Sequence, residues 1–268
     1  MHDGRWRHAN QALWNEWAAA HAGSVFYDLD AVVAGRDDLR PWEDGELGSV
    51  AGLDLVHLQC HLGTDTVAWA RRGARVVGVD FSPVALSVAK ELAERCQLSV
   101  DWVEADVYDS VSAVGGRTFD VVYTGAGALN WLPDLAQWAE VVSALLRPGG
   151  VLYVVELHPM WAAMIEDGRT ICQDAVGAAF HDFDYSGEGS YAAPDVRFES
   201  RGIYERLHTI SDVLSAVLDA GFHIELFHEF DVTPSPMPWL ERGADGLYHF
   251  PEGAYRFPLT YSLLARRP

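Results

Sequence analysis

The sequence predicts an α/β domain organised around a parallel sheet, and three observations carry that expectation. Short Val- and Leu-rich runs alternate with amphipathic stretches from Leu53 to Leu157, the rhythm of strand–helix–strand units. The amphipathic stretches end at glycines. Two apolar runs in succession close on an acid, Asp80 and then Asp106, at the strand ends where open parallel sheets collect their ligands.

Taken in order, "LDLVHL" (53–58) and "RVVGVD" (75–80) read as strands, and "TDTVAWARRG" between them as a helix with Thr64 as its N-cap and Gly73 past its end. "SPVALSVAKELAER" is the next helix: Ser82 is placed to cap it, Pro83 suits its first position, and Ala85, Val88, Ala89 and Leu92 recur at helical spacing. "SVDWVEAD" (99–106) and "FDVVYTG" (119–125) follow as strands. A helix over about 134–146 places Leu135, Trp138, Val142 and Leu145 on one face and stops at "RPGG". "VLYVVELH" (151–158) is apolar on both faces, as a central parallel strand should be. The rhythm then breaks into a Gly-, Asp- and aromatic-rich insertion of about 40 residues, 160–205, which reads as a substrate lid. A helix (211–221) and strands at 222–230 and 258–266 restore it. The first 48 residues, with Trp6, Trp14 and Trp17 near helical spacing, read as a helical cap on a catalytic domain spanning 49–268.

A chain of 268 residues, 49% hydrophobic, can bury a large core as one domain with an insertion. Its formal charge of -20 repels phosphate backbones and anionic membrane surfaces, so neither nucleic acid nor membrane is an expected partner. Cys60, Cys96 and Cys172 are odd in number and far apart, which suits a reducing cytoplasm rather than a disulfide framework. No secretory signal and no apolar run of membrane-spanning length is evident. His57, Cys60 and His61 have the residue types of a metal cluster, but side chains alternate along a strand, so His57 and Cys60 point apart and no metal is expected.

The chemistry begins with Asp80, which ends the second strand 17 positions after Gly63, where a carboxylate can accept both hydroxyls of a ribose. Asp106, beside the apolar Val107, is placed to receive an exocyclic amine such as that of adenine. Two acids at successive strand ends suit an adenosine, and nothing provides for a second phosphate-rich half.

In order and spacing, "LVHLQCHLG", "VVGVDFSP", "VEADVYD", "FDVVYTG" and "LLRPGGVLYVVE" together resemble the class I S-adenosylmethionine-dependent methyltransferases over residues 53–157. "HLQCHLGTDT", "ALNWLPDLAQW" and "ELHP" look more narrowly like a bacterial subgroup of small-molecule methyltransferases. The resemblance implies a Rossmann-like seven-stranded sheet with helices on both faces and an antiparallel last strand, S-adenosylmethionine as cofactor, and transfer of a methyl group to an O, N or C nucleophile. Against the family's D-x-G-x-G-x-G loop, His57 stands where the acid would be, Gln59 and His61 replace two glycines, and Gly63 keeps the third. A dinucleotide's pyrophosphate needs the bare turn; a methyl donor without phosphate does not, so the loop argues against an NAD-dependent oxidoreductase. Without the loop acid, Gln59 or the loop carbonyls are expected to hold the methionine ammonium. The remaining cofactor contacts implied are Thr64, Phe81 and Ser82, Val107 and Tyr108, and Thr124 and Gly125.

Methyl transfer needs a nucleophile held in line, water excluded and, where required, a proton removed. Histidine is the natural base near neutral pH. His158, in "ELHP" at the end of the fifth strand, is the first candidate, and His208, ahead of the helix at 211, the second. His181 in the lid is a third acceptor-side candidate, with a solvated or structural histidine as the competing reading. Asn130 and Trp131, at the mouth of the fourth strand, are the other expected acceptor contacts. The acceptor should be small and partly aromatic, enclosed by the cap, the lid and the fifth strand end. The rival function is a protein that binds the cofactor as a sensor, or uses it in a reaction other than methylation.

Overall fold

Seven apolar runs become the strands β1 (Asp54–Leu58), β2 (Arg75–Asp80), β3 (Asp101–Glu104), β4 (Phe119–Thr124), β5 (Leu146–Leu157), β6 (His223–Phe230) and β7 (Thr260–Arg266). The computed structural model describes residues 4–174, 176–177, 180–184 and 187–268, with only the backbone of 181–184. The strands form one sheet in the order β3-β2-β1-β4-β5-β7-β6. β1 to β5 pair in parallel, and β7 runs antiparallel to both of its neighbours. In the central strands both faces are covered, so Leu55 to Leu58, Val121 to Thr124 and Leu152 to Glu156 are all buried.

The capping signals largely act as the residue types dictate. Ser82 accepts the amide of Ala85 at the start of α5 (Pro83–Arg95), with Pro83 in its first turn. Asp134 accepts the amide of Gln137 at the start of α6 (Leu135–Leu145), and Thr209 and Asp212 form a reciprocal capping box on α7 (Ile210–Asp219).

Two expectations are corrected. Thr64 does not cap α4 (Thr64–Arg71) but is its first residue, because the chain enters the helix through Gly63 in the left-handed region, φ 74°. "RPGG" does not end the element before β5; it lies inside the strand. Leu146 pairs with Phe119 and Val151 with Val121, so the intervening residues bulge out of the ladder, with Gly149 at φ 80°. Arg147 in the bulge bonds Asp120 and Asp54, tying the amino edges of β4 and β1 together.

The N-terminal region forms α1 (Arg5–Ala22), α2 (Leu29–Val33) and α3 (Glu43–Leu47). Trp6, Leu13 and Trp17 lie on the buried face of α1 at helical spacing. Leu13 and Trp17 pack with Ala193 and Phe198 of the insertion, and side chains of this size contribute about 1.5–3 kcal/mol each when buried. Polar contacts fix the register. Asn10 both donates to and accepts from the backbone of Tyr204, and the Glu16 carboxylate accepts the amides of Glu199 and Ser200. The insertion is thereby bound along α1. Among the described residues no helix is long and apolar enough to cross a membrane.

Candidate cofactor and acceptor site

The carboxyl ends of the parallel strands open into a cavity of about 1370 Å³, roofed by α1 and the insertion. Its floor is the turn between β1 and α4. Gln59, His61 and Gly63 alternate through the left-handed region, at φ 56°, 47° and 74°. Only glycine fits at the third position, since an added Cβ would lie 2.7 Å from the Trp102 ring and 2.9 Å from the Ala89 Cβ. At the first two positions the chain keeps the backbone of a glycine-rich turn while carrying side chains, at a cost of about 1–2 kcal/mol each.

That twisted turn aims the amide of His61 at Asp80, which accepts it at 2.8 Å and accepts the amide of Ser82 at 2.8 Å through its other oxygen. Burial pushes the Asp80 carboxyl up to about 6, against the pull of those amides. Asp80 therefore lines the cavity and braces the loop at once. Gln59 donates to the carbonyl of Ala128 at 2.9 Å, and its Oε1 is buried with no partner among the described residues.

His57 occupies the place of the family's loop acid, and burial together with the charge of Arg40 lowers its pKa to about 3. It stays neutral, bonded to Thr66 at 2.8 Å. The acid in this corner comes from Asp65, in the first turn of α4. Its carboxylate receives Arg40 at 2.8 Å and the Tyr123 hydroxyl at 3.2 Å, and Tyr123 and Arg40 also reach Glu43. A Cβ placed on Gly125 would meet Asp65 Oδ2 at 3.1 Å and His57 Nε2 at 3.5 Å, so both groups border the end of β4. Arg40 Nε is buried without a partner among the described residues. Sequence reasoning missed Arg40 and Asp65, although an acid two positions after Gly63 was the available signal.

Asp106 lines the next strand end, where it caps the following turn through the amide of Tyr108 and pairs with Arg7 of α1 at 3.3 Å. Burial raises its pKa. Gln59, Gly125, Phe81, Val107 and Thr64 also face the cavity. Four expected cofactor contacts do not. Gly63 is packed against Trp102 and Ala89 instead. Ser82 is fully buried as a helix cap, the Tyr108 hydroxyl is engaged with the backbone of Asp134, and Thr124 is fully buried in β4.

On the acceptor side, Asn130 donates to Glu205 at 3.1 Å, and the Trp131 ring stands edge-on to Trp14 at 5.1 Å and Trp17 at 6.0 Å. His158 lines the cavity, but both ring nitrogens are engaged: Nδ1 accepts the amide of Met160, capping the helix Pro159–Ala163, and Nε2 lies 2.9 Å from Glu229. The lone pair that a base needs is committed to the cap. His208 donates from Nε2 to the carbonyl of Leu132 at 2.8 Å, and burial lowers its pKa. His181 begins a short strand paired with 202–205; its side chain lies outside the described residues. The ring cluster of Trp14, Tyr27, His61 and Tyr191 in the cavity wall was not foreseen.

Residues 56–152 match a family model described as a methyltransferase domain. This segment is similar to methyltransferase domains. The seven-stranded sheet that contains it has the class I methyltransferase fold. An S-adenosylmethionine dependent methyltransferase from Mesorhizobium loti superposes with a TM-score of 0.61 at 21% identity, covering 88% of this chain and 100% of that one. A putative S-adenosylmethionine dependent methyltransferase from Listeria monocytogenes gives 0.59 at 17% identity, covering 85% and 97%. Among curated relatives, a ubiquinone biosynthesis O-methyltransferase of Methylobacterium sp. (strain 4-46) is 35% identical over 124 residues, 46% of each chain. The chain spans about half the length of the curated relatives it matches. The matched segment thus holds most of the five parallel strands and the turns that follow β1 to β4, while β6, β7 and the roof of the cavity lie outside it.

Proposed function

We propose that this chain is an S-adenosylmethionine-dependent methyltransferase acting on an oxygen of a small, partly aromatic molecule. The observation that carries the reading is the turn at 59–63: its left-handed residues present the His61 amide to a buried, cavity-lining Asp80. Oxygen is favoured as the acceptor atom by the O-methyltransferases among the relatives. The aromatic lining suits an aromatic acceptor, and a net charge of -20 disfavours nucleic acid. Free thiols at Cys60, Cys96 and Cys172 suit a reducing cytoplasm.

The residues present fit this cofactor. Asp80 would take the ribose hydroxyls, with Asp106 and Val107 toward the adenine. The orphaned acceptor Gln59 Oε1 and the orphaned donor Arg40 Nε, in the wall of one cavity, match the ammonium and carboxylate of an amino acid. Asp65 would add the negative charge that His57 does not provide. When bound, the sulfonium supplies an electrophilic methyl group. The chain's own part is to orient the acceptor against it, exclude water with the cap (1–48) and the lid (160–205), and take up a proton.

The test is calorimetry. Asp80→Ala should weaken S-adenosylmethionine binding by about 1.5–3 kcal/mol, as for hydrogen bonds to a charged group. Unchanged affinity in the variant, or tight NAD binding by the parent, rejects the assignment. Failure of any acceptor to yield S-adenosylhomocysteine would favour the sensor reading instead.

A further inference from the structure

His61 stands where a glycine would cost nothing. It is held at φ 47°, and its backbone amide, the part that Asp80 uses, would be supplied equally by glycine. The side chain therefore has work of its own to account for the strain. Its ring lies in the cavity wall, edge-on to Trp14 at 5.0 Å and Tyr27 at 5.4 Å. His61 Nε2 is 3.0 Å from Nδ1 of His21, a fully buried residue of α1, and His21 Nε2 is 2.8 Å from the hydroxyl of Ser190 in the insertion. Ser190 Oγ also accepts the amide of Ala193, which holds it in place. Among the described residues His61 Nδ1 has no hydrogen-bond partner, and His61 lies in the cavity wall within the turn at 59–63 that meets Asp80.

We propose that His61 is the catalytic base of the transfer, with His21 and Ser190 as positioning residues that hold its tautomer; this rests on the methyltransferase reading above. Nε2–H of His61 donates to His21, Nε2–H of His21 donates to Ser190, and the lone pair left on His61 Nδ1 faces the acceptor hydroxyl. In the step, the acceptor's O–H bond breaks and its proton goes to Nδ1. The oxygen's electron pair forms the O–CH₃ bond, and sulfur keeps the pair of the broken C–S bond. One positive charge leaves sulfur and one arises on imidazole, so the dry site is asked to move a charge rather than create one. Burial, with His21 beside it, lowers the His61 pKa well below its usual value, which keeps the ring unprotonated at neutral pH; the geometry, not this shift, carries the assignment.

The decisive variant is His61→Gly, which removes the ring and relieves the backbone, with His61→Asn as a second variant whose residue tolerates the left-handed region but has no basic nitrogen. Calorimetry with S-adenosylmethionine comes first: both variants should bind within a few-fold of the parent. With 3,4-dihydroxybenzoate as the probe acceptor, kcat should fall about 10²- to 10⁴-fold in both. An optical readout needs no turnover. In the parent, bound 4-nitrocatechol should ionise at a pH below that of the free dye, and in both variants that displacement should vanish, while His21→Gln should shrink it. If the variants bind the cofactor and the dye yet keep the parental displacement or the parental kcat, the base assignment is overturned. It is equally overturned if both variants lose the cofactor, since the ring then serves binding. A parent that binds no S-adenosylmethionine overturns the function itself, independently of the dye.

Discussion

The two walls of the cavity are built differently. The sheet-side wall is made of strand ends and the turns that follow them within a few residues, so Asp80 bonds the amides of His61 and Ser82 across a single strand–helix unit. The roof is made of α1 and the insertion, segments far apart in the chain: Asn10 meets Tyr204, Glu16 meets Ser200 and His21 meets Ser190. The first wall is held by parallel ladders buried on both faces. The second is held by one aromatic face and a few buried polar pairs, an arrangement that opens at lower cost. In such an arrangement the turns at the strand ends can stay rigid while the roof opens.

The largest effect should come from Trp17→Ala, which empties the contact between α1 and Phe198 and should destabilise the roof by about 3–5 kcal/mol. Hydrogen exchange is the check. Amides of α1 and of 187–205 should lose protection together while β1, β4 and β5 keep theirs; uniform loss across the sheet would mean that the two walls form one cooperative unit.

Next comes pH. Asp80 has its carboxyl raised from 3.8 to about 6, so its contribution to folding stability is fully present below about 3.8 and is lost as pH rises through about 6. Ligand binding has the opposite sign, because two ribose hydroxyls need an ionised acceptor. Affinity for S-adenosylmethionine should therefore fall as pH drops below about 6, by up to about tenfold per pH unit. Calorimetry across pH 4.5–7.5, a window chosen about that pKa, tests this; a profile identical to that of Asp80→Asn would remove Asp80 from the ribose.

The smallest effect belongs to His158→Ala. With Nδ1 capping a helix and Nε2 against Glu229, its loss should lower stability by about 1 kcal/mol, read as Tm, and leave kcat within a few-fold. A fall of about 10²-fold or more with unchanged Tm would return the base to the end of β5.

Much of the sheet-side wall was legible. The 2- and 3.6-residue periods mark which face of each segment is buried, a cap such as Ser82 acts within three residues, and a carboxylate at a strand end points toward the open edge. The start of β5 was not, because nothing local announces that "RPGG" will be taken up as a bulge opposite β4. Thr64, Ser82, Tyr108 and Thr124 show the same limit on a smaller scale. Their position at a strand or helix end was evident, but which way each side chain turned depended on the residues packed around it.

What the sequence determined by itself was the order of strands and helices, the strand-end carboxylates and the departure from a glycine-rich loop, since each follows from spacing within some twenty residues. The left-handed backbone at Gln59 and His61 ran against their intrinsic preference and was decided by tertiary structure, through Asp80 accepting one amide and the carbonyl of Ala128 holding one side chain. So were the Arg40–Asp65 pair and the His61–His21–Ser190 chain. Periodicity encodes that a surface is buried; which distant surface covers it depends on packing and on the pairing of buried polar groups, and those exist only once the chain has closed on itself.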